Sequence, residues 1–257
     1  MSNQNFANKV VALTGGASGI GEATALFLAS RGAKLSLADL QQEGLDRVKA
    51  EIERRHPGAE VMVFPLDVRN YEQVEGWTAA TVERFGRLDG AANLAGVIPR
   101  SIGVKTLAEQ DFEEWDFVMG VNATGVMHCL KAQMNAIADG GSIVNASSIA
   151  GATGRAKNGS YTASKHAVTG LTRTAAKEIG HRGVRVNAIQ PGRIETPMSR
   201  AARAIGETPA GEEKHEQAAL KRIGTAEECA HLIAYLLSDE STYISGTNIP
   251  IDGGWNC

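Results

Sequence analysis

Tyr161 and Lys165 are the two residues of this 257-residue chain whose types and spacing suit proton chemistry. Side chains four positions apart on a helix share one face and can reach a common target. Two unit charges about 4 Å apart, at an effective dielectric of about 20, interact by roughly 4 kcal/mol, or roughly three pKa units. A fixed ammonium would thus bring the pKa of a phenol from about 10 towards about 7, where it can give and take a proton. An isolated Tyr-x-x-x-Lys is usually coincidence, so the pair needs support elsewhere in the chain.

A glycine-rich segment gives the first support. Residues 14–21, Thr-Gly-Gly-Ala-Ser-Gly-Ile-Gly, follow an apolar run and open a stretch of helical periodicity. Glycines at such a turn let backbone amides and a helix dipole approach a pyrophosphate. The spacing is G-x-x-x-G-x-G, because Thr24 stands at the last glycine position of the G-x-G-x-x-G form. A turn without a ligand is the alternative, but we predict dinucleotide binding by Gly15, Ser18, Gly19 and Ile20.

Asp39 ends the second predicted strand, close to the distance at which an acidic residue meets the adenosine ribose. Its carboxylate would accept hydrogen bonds from both ribose hydroxyls and repel a 2′-phosphate. Neither Gly16 nor the residues that follow Asp39 (40–42, Leu-Gln-Gln) supply a cation for such a phosphate. The sequence therefore predicts NAD rather than NADP as the cofactor. A carboxylate that caps the next helix is the alternative, and it is compatible with ribose binding.

Two further strand ends carry residues suited to a cofactor. Asp67 follows the third predicted strand, where its carboxylate would accept from the adenine amino group while Val68 covers the ring. Residues 93–96, Asn-Leu-Ala-Gly, follow the fourth strand and offer small residues against which a cofactor could lie. From this tetrapeptide we predict cofactor contacts at Asn93, Ala95 and Gly96.

The elements that must position these residues alternate along the chain. Short apolar runs predict strands at 10–14, 33–38, 60–65, 88–94, 142–146, 184–189 and 247–251. Helical patterns lie at 21–30, 41–55, 71–85, 161–179 and 225–237, and most of 107–138 is also helical in pattern. Such alternation predicts an α/β fold, a doubly wound, Rossmann-like parallel sheet with helices on both faces, in a single domain over 1–257. The irregular tract 194–222 predicts a substrate lid.

The composition excludes several classes of protein. A net charge of −3 gives no global reason to expect a nucleic acid or an anionic membrane as partner. No apolar run approaches the length of a membrane span, and the N-terminus lacks a secretory pattern. Three scattered cysteines without a C-x-x-C argue against a disulfide framework and a metal site. We therefore expect a cytoplasmic protein that holds no metal.

The chain resembles the short-chain dehydrogenases/reductases from about residue 10 to residue 254, and the shared motifs stand in the family's order. They are the turn at 14–21, Asp67, Asn93-x-Ala95-Gly96, Asn122, Ser147-Ser148, Tyr161-x-x-x-Lys165 and Pro191-Gly192. Leu94 replaces the second Asn of the family's usual N-N-A-G, and Thr225 stands where a Pro is common. Neither departure touches the reacting groups. The resemblance implies a Rossmann-like domain and a catalytic set of Asn122, Ser148, Tyr161 and Lys165.

The resemblance also implies a role for each of these residues. Tyr161 would exchange a proton with the substrate oxygen as hydride moves to or from the nicotinamide. Lys165 would bind the nicotinamide ribose and lower the pKa of Tyr161. Ser148 would hydrogen-bond the substrate oxygen; its distance from Tyr161 along the chain favours it over Ser147. Asn122 would hold a water that relays protons from Lys165 to solvent, or would bond only to backbone. The nicotinamide would be met by Pro191, Gly192, Ile194 and Thr196.

The substrate pocket is expected between residues 96–102, residues 149–158 and the lid, where Met198 and residues 201–205 could form a movable apolar cover. Three arginines nearby, Arg100, Arg155 and Arg193, could pair with a substrate carboxylate, although surface arginines are more often solvated. Trp255 would pack on a neighbouring subunit or on its own core. The resemblance implies a homo-oligomer, a tetramer or dimer, built on helices around 107–138 and 161–179 and on the C-terminal strand.

The sequence thus predicts an oxidoreductase that interconverts a secondary alcohol and a ketone by hydride transfer with NAD(H). Its substrate is expected to be a small molecule whose identity the residues do not specify. An NADPH-dependent ketoreductase is the first alternative. A non-catalytic dinucleotide-binding protein and a family member repurposed for non-redox chemistry are the others, and both are disfavoured by the intact Tyr161 and Lys165.

Overall fold

The fold is described by a computed structural model over residues 5–205 and 218–257. Within these ranges all strands join one sheet, in the order β3-β2-β1-β4-β5-β6-β7. Every pairing is parallel, which confirms the predicted doubly wound architecture. The strands are β1 (Val10–Thr14), β2 (Lys34–Asp39), β3 (Val61–Pro65), β4 (Gly90–Asn93), β5 (Ser142–Ala146), β6 (Arg185–Pro191) and β7 (Asn248–Ile251).

Helices cover both faces of this sheet and bury a separate hydrophobic cluster on each. One cluster joins the sheet to α1, α2 and α8, and the other joins it to α3, α5 and α6. Because both faces are covered, the strands read as nearly continuous apolar runs rather than as alternating patterns. The helices are α1 (Gly19–Ser30), α2 (Gln42–Arg55), α3 (Tyr71–Phe85), α4 (Phe112–Met119), α5 (Gly125–Ala136), α6 (Gly159–Ile179), α7 (Pro197–Ile205) and α8 (Ala226–Leu237).

The stretch predicted as mostly helical over 107–138 is interrupted. A 3₁₀ turn (Leu107–Glu109) precedes α4, and a π-helical segment (Gly120–Thr124) joins α4 to α5. Gly125 starts α5 against the loop after β3, where an added Cβ would lie 2.6 Å from Cγ2 of Val68. Gly120 and Gly125 therefore bound a local change of helical winding, with Asn122 inside it.

Other boundaries differ from prediction by a few residues. Strand β6 continues to Pro191, whose position at the strand end costs no ladder hydrogen bond. Helix α6 begins at Gly159 and so carries Tyr161 in its first turn. In the predicted lid at 194–222, Pro197–Ile205 is helical, and residues 206–217 lie outside the described part of the chain.

The cysteines are all free thiols. Cys129 and Cys229 are buried, and burial raises the pKa of both thiols to about 12. Cys257 is exposed. Across residues 5–205 and 218–257, no group of His, Cys, Asp and Glu side chains is arranged to hold a metal, and no helix is long and apolar enough to cross a membrane.

Candidate active site

A cavity of about 670 Å³ opens at the carboxyl ends of the central strands. The strand order reverses between β1 and β4, and ligands of open α/β sheets bind in the crevice at such a switch point. The loops after β1, β2, β3, β4, β5 and β6 all contribute to its wall. The predicted nucleotide end and the predicted reactive centre therefore lie in one continuous space.

The glycine-rich turn leaves room for a phosphate group. Gly15 has a φ of 73°, and an added Cβ would lie 2.8 Å from the backbone nitrogen of Ala95. At Gly21 a Cβ would lie 1.9 Å from the carbonyl oxygen of Gly15. Ser18 caps α1 without a side-chain hydrogen bond, so the first amides of that helix stay available to an anion. The turn fits the pyrophosphate of a dinucleotide.

Asp39 is fixed at the end of β2 by two backbone amides. Oδ2 accepts from the nitrogen of Ala17 at 3.1 Å, and Oδ1 accepts from the nitrogen of Gln41 at 3.0 Å. A carboxylate offers about four lone-pair positions, so about two remain for ribose hydroxyls. The guanidinium of Arg47 lies nearby but is held by Glu22 at 2.6 and 2.8 Å and by the carbonyl of Ala17. It is therefore not free to pair with a 2′-phosphate.

Of the residues predicted to contact the cofactor after β3 and β4, Asp67 and Val68 line the cavity, and Asn93 does not. Val68 and Asp67 line the cavity, but the Asp67 carboxylate is held by Arg69, whose hydrogen bond lowers the pKa of Asp67. Asn93 is buried and does not line the cavity. Its Nδ2 donates to the side chains of Gln133 and Asn145, both at 2.9 Å, so its side chain braces the sheet, and the predicted cofactor contact is left to its main chain.

The reactive centre combines α6 with the end of β5. Lys165 is 4% exposed, and its Nζ donates to the carbonyl of Ala146 at 2.8 Å and lies 5.5 Å from the centre of the Tyr161 ring. Ser148 caps a 3₁₀ turn, where its Oγ accepts from the nitrogen of Ala150 at 3.1 Å. Tyr161, Lys165 and Ser148 all line the cavity, as the resemblance implies.

The pKa values in this centre differ from the sequence-based expectation. Burial raises the pKa of Tyr161 above its ordinary value, while a hydrogen bond with Ser148 and the charge of Arg155 lower it by less. Lys165 does not depress the phenol here, because its ammonium lies against the ring face and bonds to Ala146. Burial instead lowers the pKa of Lys165 to about 8.

Ser147 and Asn122 support the reactive centre through hydrogen bonds to its backbone and to neighbouring side chains. Ser147 Oγ donates to the carbonyl of Lys165 at 2.9 Å, so Ser147 supports the position of Lys165 on α6. Asn122 is fully buried: Oδ1 accepts from the nitrogen of Val97, and Nδ2 donates to the carbonyl of Val97 and to Ser164. With the side chain so engaged, any water at Asn122 would be held by its main chain.

The segment after β6 forms the part of the wall that the resemblance assigns to the nicotinamide, and all the residues predicted there line the cavity: Pro191, Gly192, Ile194 and Thr196. Gly192 packs against the C-terminal segment, since a Cβ there would lie 2.7 Å from Cα of Asp252. Thr196 Oγ1 accepts from the nitrogen of Ser199 at 3.2 Å at the start of α7. This part of the wall thus contacts both α7 and the end of β7, where the nitrogen of Gly192 donates to the carbonyl of Ile251.

The substrate end holds one predicted cation and one residue that the sequence did not single out. Arg155 lines the cavity with its guanidinium 5.8 Å from the centre of the Trp255 ring, and Arg193 lines the cavity in the segment after β6. Arg100 is exposed and does not line the cavity. Asn158 also lines it, although the sequence named Asn158 only as the end of a wall segment. No local pattern marks it, because its burial depends on distant loops.

Known proteins resemble this chain over its whole length. A family model described as enoyl-(acyl carrier protein) reductase matches residues 15–256. The short-chain dehydrogenase/reductase aba4 of Botryotinia fuckeliana is 57% identical over 100% of both chains. The chain belongs to the short-chain dehydrogenases/reductases, a family of oxidoreductases.

Two further relatives carry names that state a substrate. Levodione reductase of Leifsonia aquatica is 42% identical over 97% of this chain and 94% of its own. A crystal structure of levodione reductase superposes with a TM-score of 0.91 at 41% identity, covering 97% of this chain and 98% of that one. Trans-4-hydroxycyclohexanecarboxylate dehydrogenase of Sinomonas cyclohexanicum is 38% identical over 98% of this chain and 94% of its own.

Proposed function

We propose that this protein is an NAD(H)-dependent oxidoreductase that interconverts a secondary alcohol on a six-membered alicyclic ring with the corresponding ketone. The observation that carries the proposal is the placement of Tyr161, Lys165 and Ser148 on one wall of a cavity that also contains the glycine-rich turn and Asp39. A substrate oxygen at Tyr161 and a dinucleotide held by the turn and by Asp39 would share one space, with the nicotinamide end of the dinucleotide towards Tyr161.

The chain's own groups would handle the proton. Tyr161 Oη takes the hydroxyl proton of an alcohol, or gives a proton to a ketone oxygen in the reverse direction. Ser148 Oγ donates to the same oxygen and stabilises the negative charge that develops there. Lys165 binds the nicotinamide ribose and passes protons towards solvent past Asn122. The nicotinamide ring, when bound, supplies the hydride acceptor or donor.

The cofactor preference follows from the charges around the end of β2. Two lone-pair positions of Asp39 point to a diol, and its negative charge repels a 2′-phosphate. Arg47, the cation that could offset this repulsion, is engaged by Glu22. These contacts favour NAD over NADP.

The proposed substrate class is supported by the cavity wall and by the relatives. The substrate end is lined largely by apolar side chains, among them Ile98, Ile102, Ile149 and Met198. Apolar walls with few polar groups suit a compact hydrocarbon ring bearing one or two oxygens. Two relatives have names that state a dione and a hydroxycyclohexane as their substrates.

The proposal is tested by following NADH absorbance while the purified protein is offered cyclic and open-chain secondary alcohols and ketones, each with NAD(H) and with NADP(H). We expect turnover of cyclohexanols or cyclohexanones with NAD(H), and weaker binding of NADP. Asp39→Asn keeps the shape of the side chain but removes its charge; we expect NAD to bind roughly tenfold or more weakly and NADP relatively better. Tighter binding of NADP by the unaltered protein would overturn the cofactor assignment.

A second control distinguishes an enzyme from a non-catalytic dinucleotide-binding protein. A dinucleotide-binding protein without catalysis would bind NADH yet transfer no hydride to any of these compounds. The intact set of reacting side chains argues against this outcome. NADH binding without any turnover across the panel would overturn the proposed activity and leave the nucleotide site standing.

A further inference from the structure

The substrate end of the cavity contains two polar side chains that the proposed proton and hydride chemistry does not use. Arg155 and Asn158 both lie on the loop between β5 and α6, just before Tyr161, and both line the cavity. Their position places them close to the reacting oxygen but away from the glycine-rich turn. They therefore face the part of the substrate that the catalytic residues do not hold.

Arg155 is a positioned cation without an acidic partner in residues 5–205 and 218–257. Its guanidinium lies 5.8 Å from the centre of the Trp255 ring, a cation–π contact that holds the fork without consuming its hydrogen-bond donors. Two other arginines that line the cavity have acidic partners: Arg203 pairs with Glu195, which also pairs with Arg200, and Arg222 pairs with Glu228. Arg155 and Tyr161 line the same cavity, six positions apart along the loop that enters the first turn of α6.

Asn158 is an interior amide whose hydrogen-bonding capacity is unused. The residue is 6% exposed, and its Oδ1 is buried without a donor. Although it stands at the N-cap of α6, its side chain makes no cap hydrogen bond. Nδ2 bonds to none of the described residues and is the end of the amide left to the cavity. An anion cannot satisfy Oδ1, which is itself an acceptor, so what this amide offers to a bound carboxylate is the donor at Nδ2.

The groups offered by this pair are donors on one positively charged surface. An arginine fork donates two parallel hydrogen bonds to a carboxylate, and an amide nitrogen adds a third donor. Asp252, the acidic residue on the same stretch of wall as Trp255, keeps its charge but has both oxygens engaged by its own turn. Its two oxygens accept from the backbone nitrogens of Gly254 and Asn256, both at 3.0 Å. An acceptor-only, anionic group is the complement of such a surface.

We propose that Arg155, held over Trp255, and Asn158 bind a carboxylate of the substrate, so that the substrate is an alicyclic hydroxy acid or keto acid. This inference rests on the proposed function, because it places the carbinol or carbonyl carbon at Tyr161. The ring then spans from Tyr161 and Ser148 to the carboxylate at Arg155. Arg193 is not the proposed anchor, because it directly follows β6, in the part of the wall that the resemblance assigns to the nicotinamide.

The test compares an acid with a neutral analogue of the same ring. With NAD, kcat and KM are measured for 4-hydroxycyclohexanecarboxylate, for its methyl ester and for cyclohexanol. We expect Arg155→Leu to raise the KM for the acid about ten- to hundredfold while leaving the KM for cyclohexanol and for the ester within about twofold. Because the charge of Arg155 also acts on Tyr161, kcat is compared between substrates within the variant and not with the unaltered protein. Arg155→Lys retains charge without the fork, so its KM for the acid should lie between those of the unaltered protein and Arg155→Leu. Asn158→Leu should raise the same KM by a smaller factor.

Arg100→Leu is the matched control, because Arg100 is an exposed arginine outside the cavity. The Arg100→Leu variant should have the same KM as the unaltered protein for both the acid and cyclohexanol. Equal losses for acid and cyclohexanol in Arg155→Leu would show that Arg155 only supports the loop, and would overturn the carboxylate site. No preference for the acid over cyclohexanol in the unaltered protein would overturn it as well, while leaving the proposed activity intact.

A binding measurement keeps the two proposals separable. Cyclohexanecarboxylate, which has no hydroxyl to oxidise, is titrated calorimetrically into the protein saturated with NADH, and into the Arg155→Leu protein under the same conditions. Binding that weakens about tenfold or more in the variant supports the carboxylate site even if no alcohol is oxidised. Binding of equal strength in both proteins overturns it whatever the activity.

Discussion

At the scale of single residues, burial shifts the pKa values of Tyr161 and Lys165 more than the attraction between their charges does. The expected depression of the Tyr161 pKa does not occur, because the phenol is desolvated and Lys165 bonds to Ala146 rather than approaching the phenol oxygen. The burial that raises the pKa of Tyr161 lowers that of Lys165 to about 8. The first proton to leave the pair near neutral pH therefore belongs to the lysine.

This order of proton loss predicts a pH dependence. Below about pH 8 Lys165 is protonated, and the site cannot readily accept a further proton. Above about pH 8 Lys165 is neutral, and the site can accept the proton of the alcohol. For alcohol oxidation, kcat/KM should rise as the pH passes through about 8, and for ketone reduction it should fall over the same range. Lys165→Arg keeps a charge that does not titrate, so this limb should disappear from both profiles. A limb near pH 8 that persists in Lys165→Arg would contradict the assignment.

Removing one hydroxyl tests the acid/base role. Tyr161→Phe should lower kcat by roughly 10²- to 10⁴-fold, the usual contribution of a positioned general acid or base, while NADH binds with unchanged affinity. Tyr71→Phe is the control: its hydroxyl donates to Glu75 on α3 and does not line the cavity. Steady-state rates and NADH fluorescence titrations report the two effects. An undiminished rate in Tyr161→Phe would refute the mechanism.

At the scale of elements, the strands and helices were predictable because apolar runs and helical periodicity are local. Side-chain partners that lie far away in sequence were not predictable in this way. The side chain of Asn93, a residue predicted to contact the cofactor, bonds to Gln133 and Asn145, 40 and 52 positions away. Asn158 was overlooked, since its burial and its unpaired amide depend on the folded loop. Motif spacing locates a residue at the cavity but does not show which neighbours consume its hydrogen bonds.

The π-helical junction gives a prediction at this scale. Gly125→Ala would place a methyl group 2.6 Å from Cγ2 of Val68, which must then move into the adenine side of the cavity. We expect a loss of about 1–3 kcal/mol in the free energy of unfolding, together with weaker NAD binding. Gly76→Ala on α3 has nothing within 4 Å and should instead stabilise by about 0.5–1 kcal/mol. Denaturant titrations measure both, and an unaffected Gly125→Ala protein would show that Val68 has room to shift.

At the scale of the whole molecule, exposed apolar side chains concentrate on and around α4. Phe112 is 84% exposed, Leu107 is 68% exposed and Phe117 is 43% exposed. These residues lie in the region that the family resemblance assigns to subunit contacts. Large apolar side chains that remain exposed in one chain mark a surface that a partner would cover.

The corresponding prediction is that the protein is a homo-oligomer whose contacts include α4. Phe112→Glu places a charge in this contact and should lower the mass measured by light scattering to that of a smaller assembly. Glu53→Lys, on the exposed side of α2, is the control and should leave the mass unchanged. A Phe112→Glu protein of unchanged mass would place the subunit contacts elsewhere.

The unequal burial of the three thiols has a practical consequence for fluorescence work. Cys129 and Cys229 are enclosed and their thiols resist ionisation, whereas Cys257 is exposed two positions after Trp255. A maleimide dye should therefore attach once per chain, at Cys257, without prior removal of any cysteine. Because the indole of Trp255 lines the cavity, it can quench such a dye by contact, and a ligand that shifts the indole would change the emission. The native sequence thus carries its own labelling position for an optical titration.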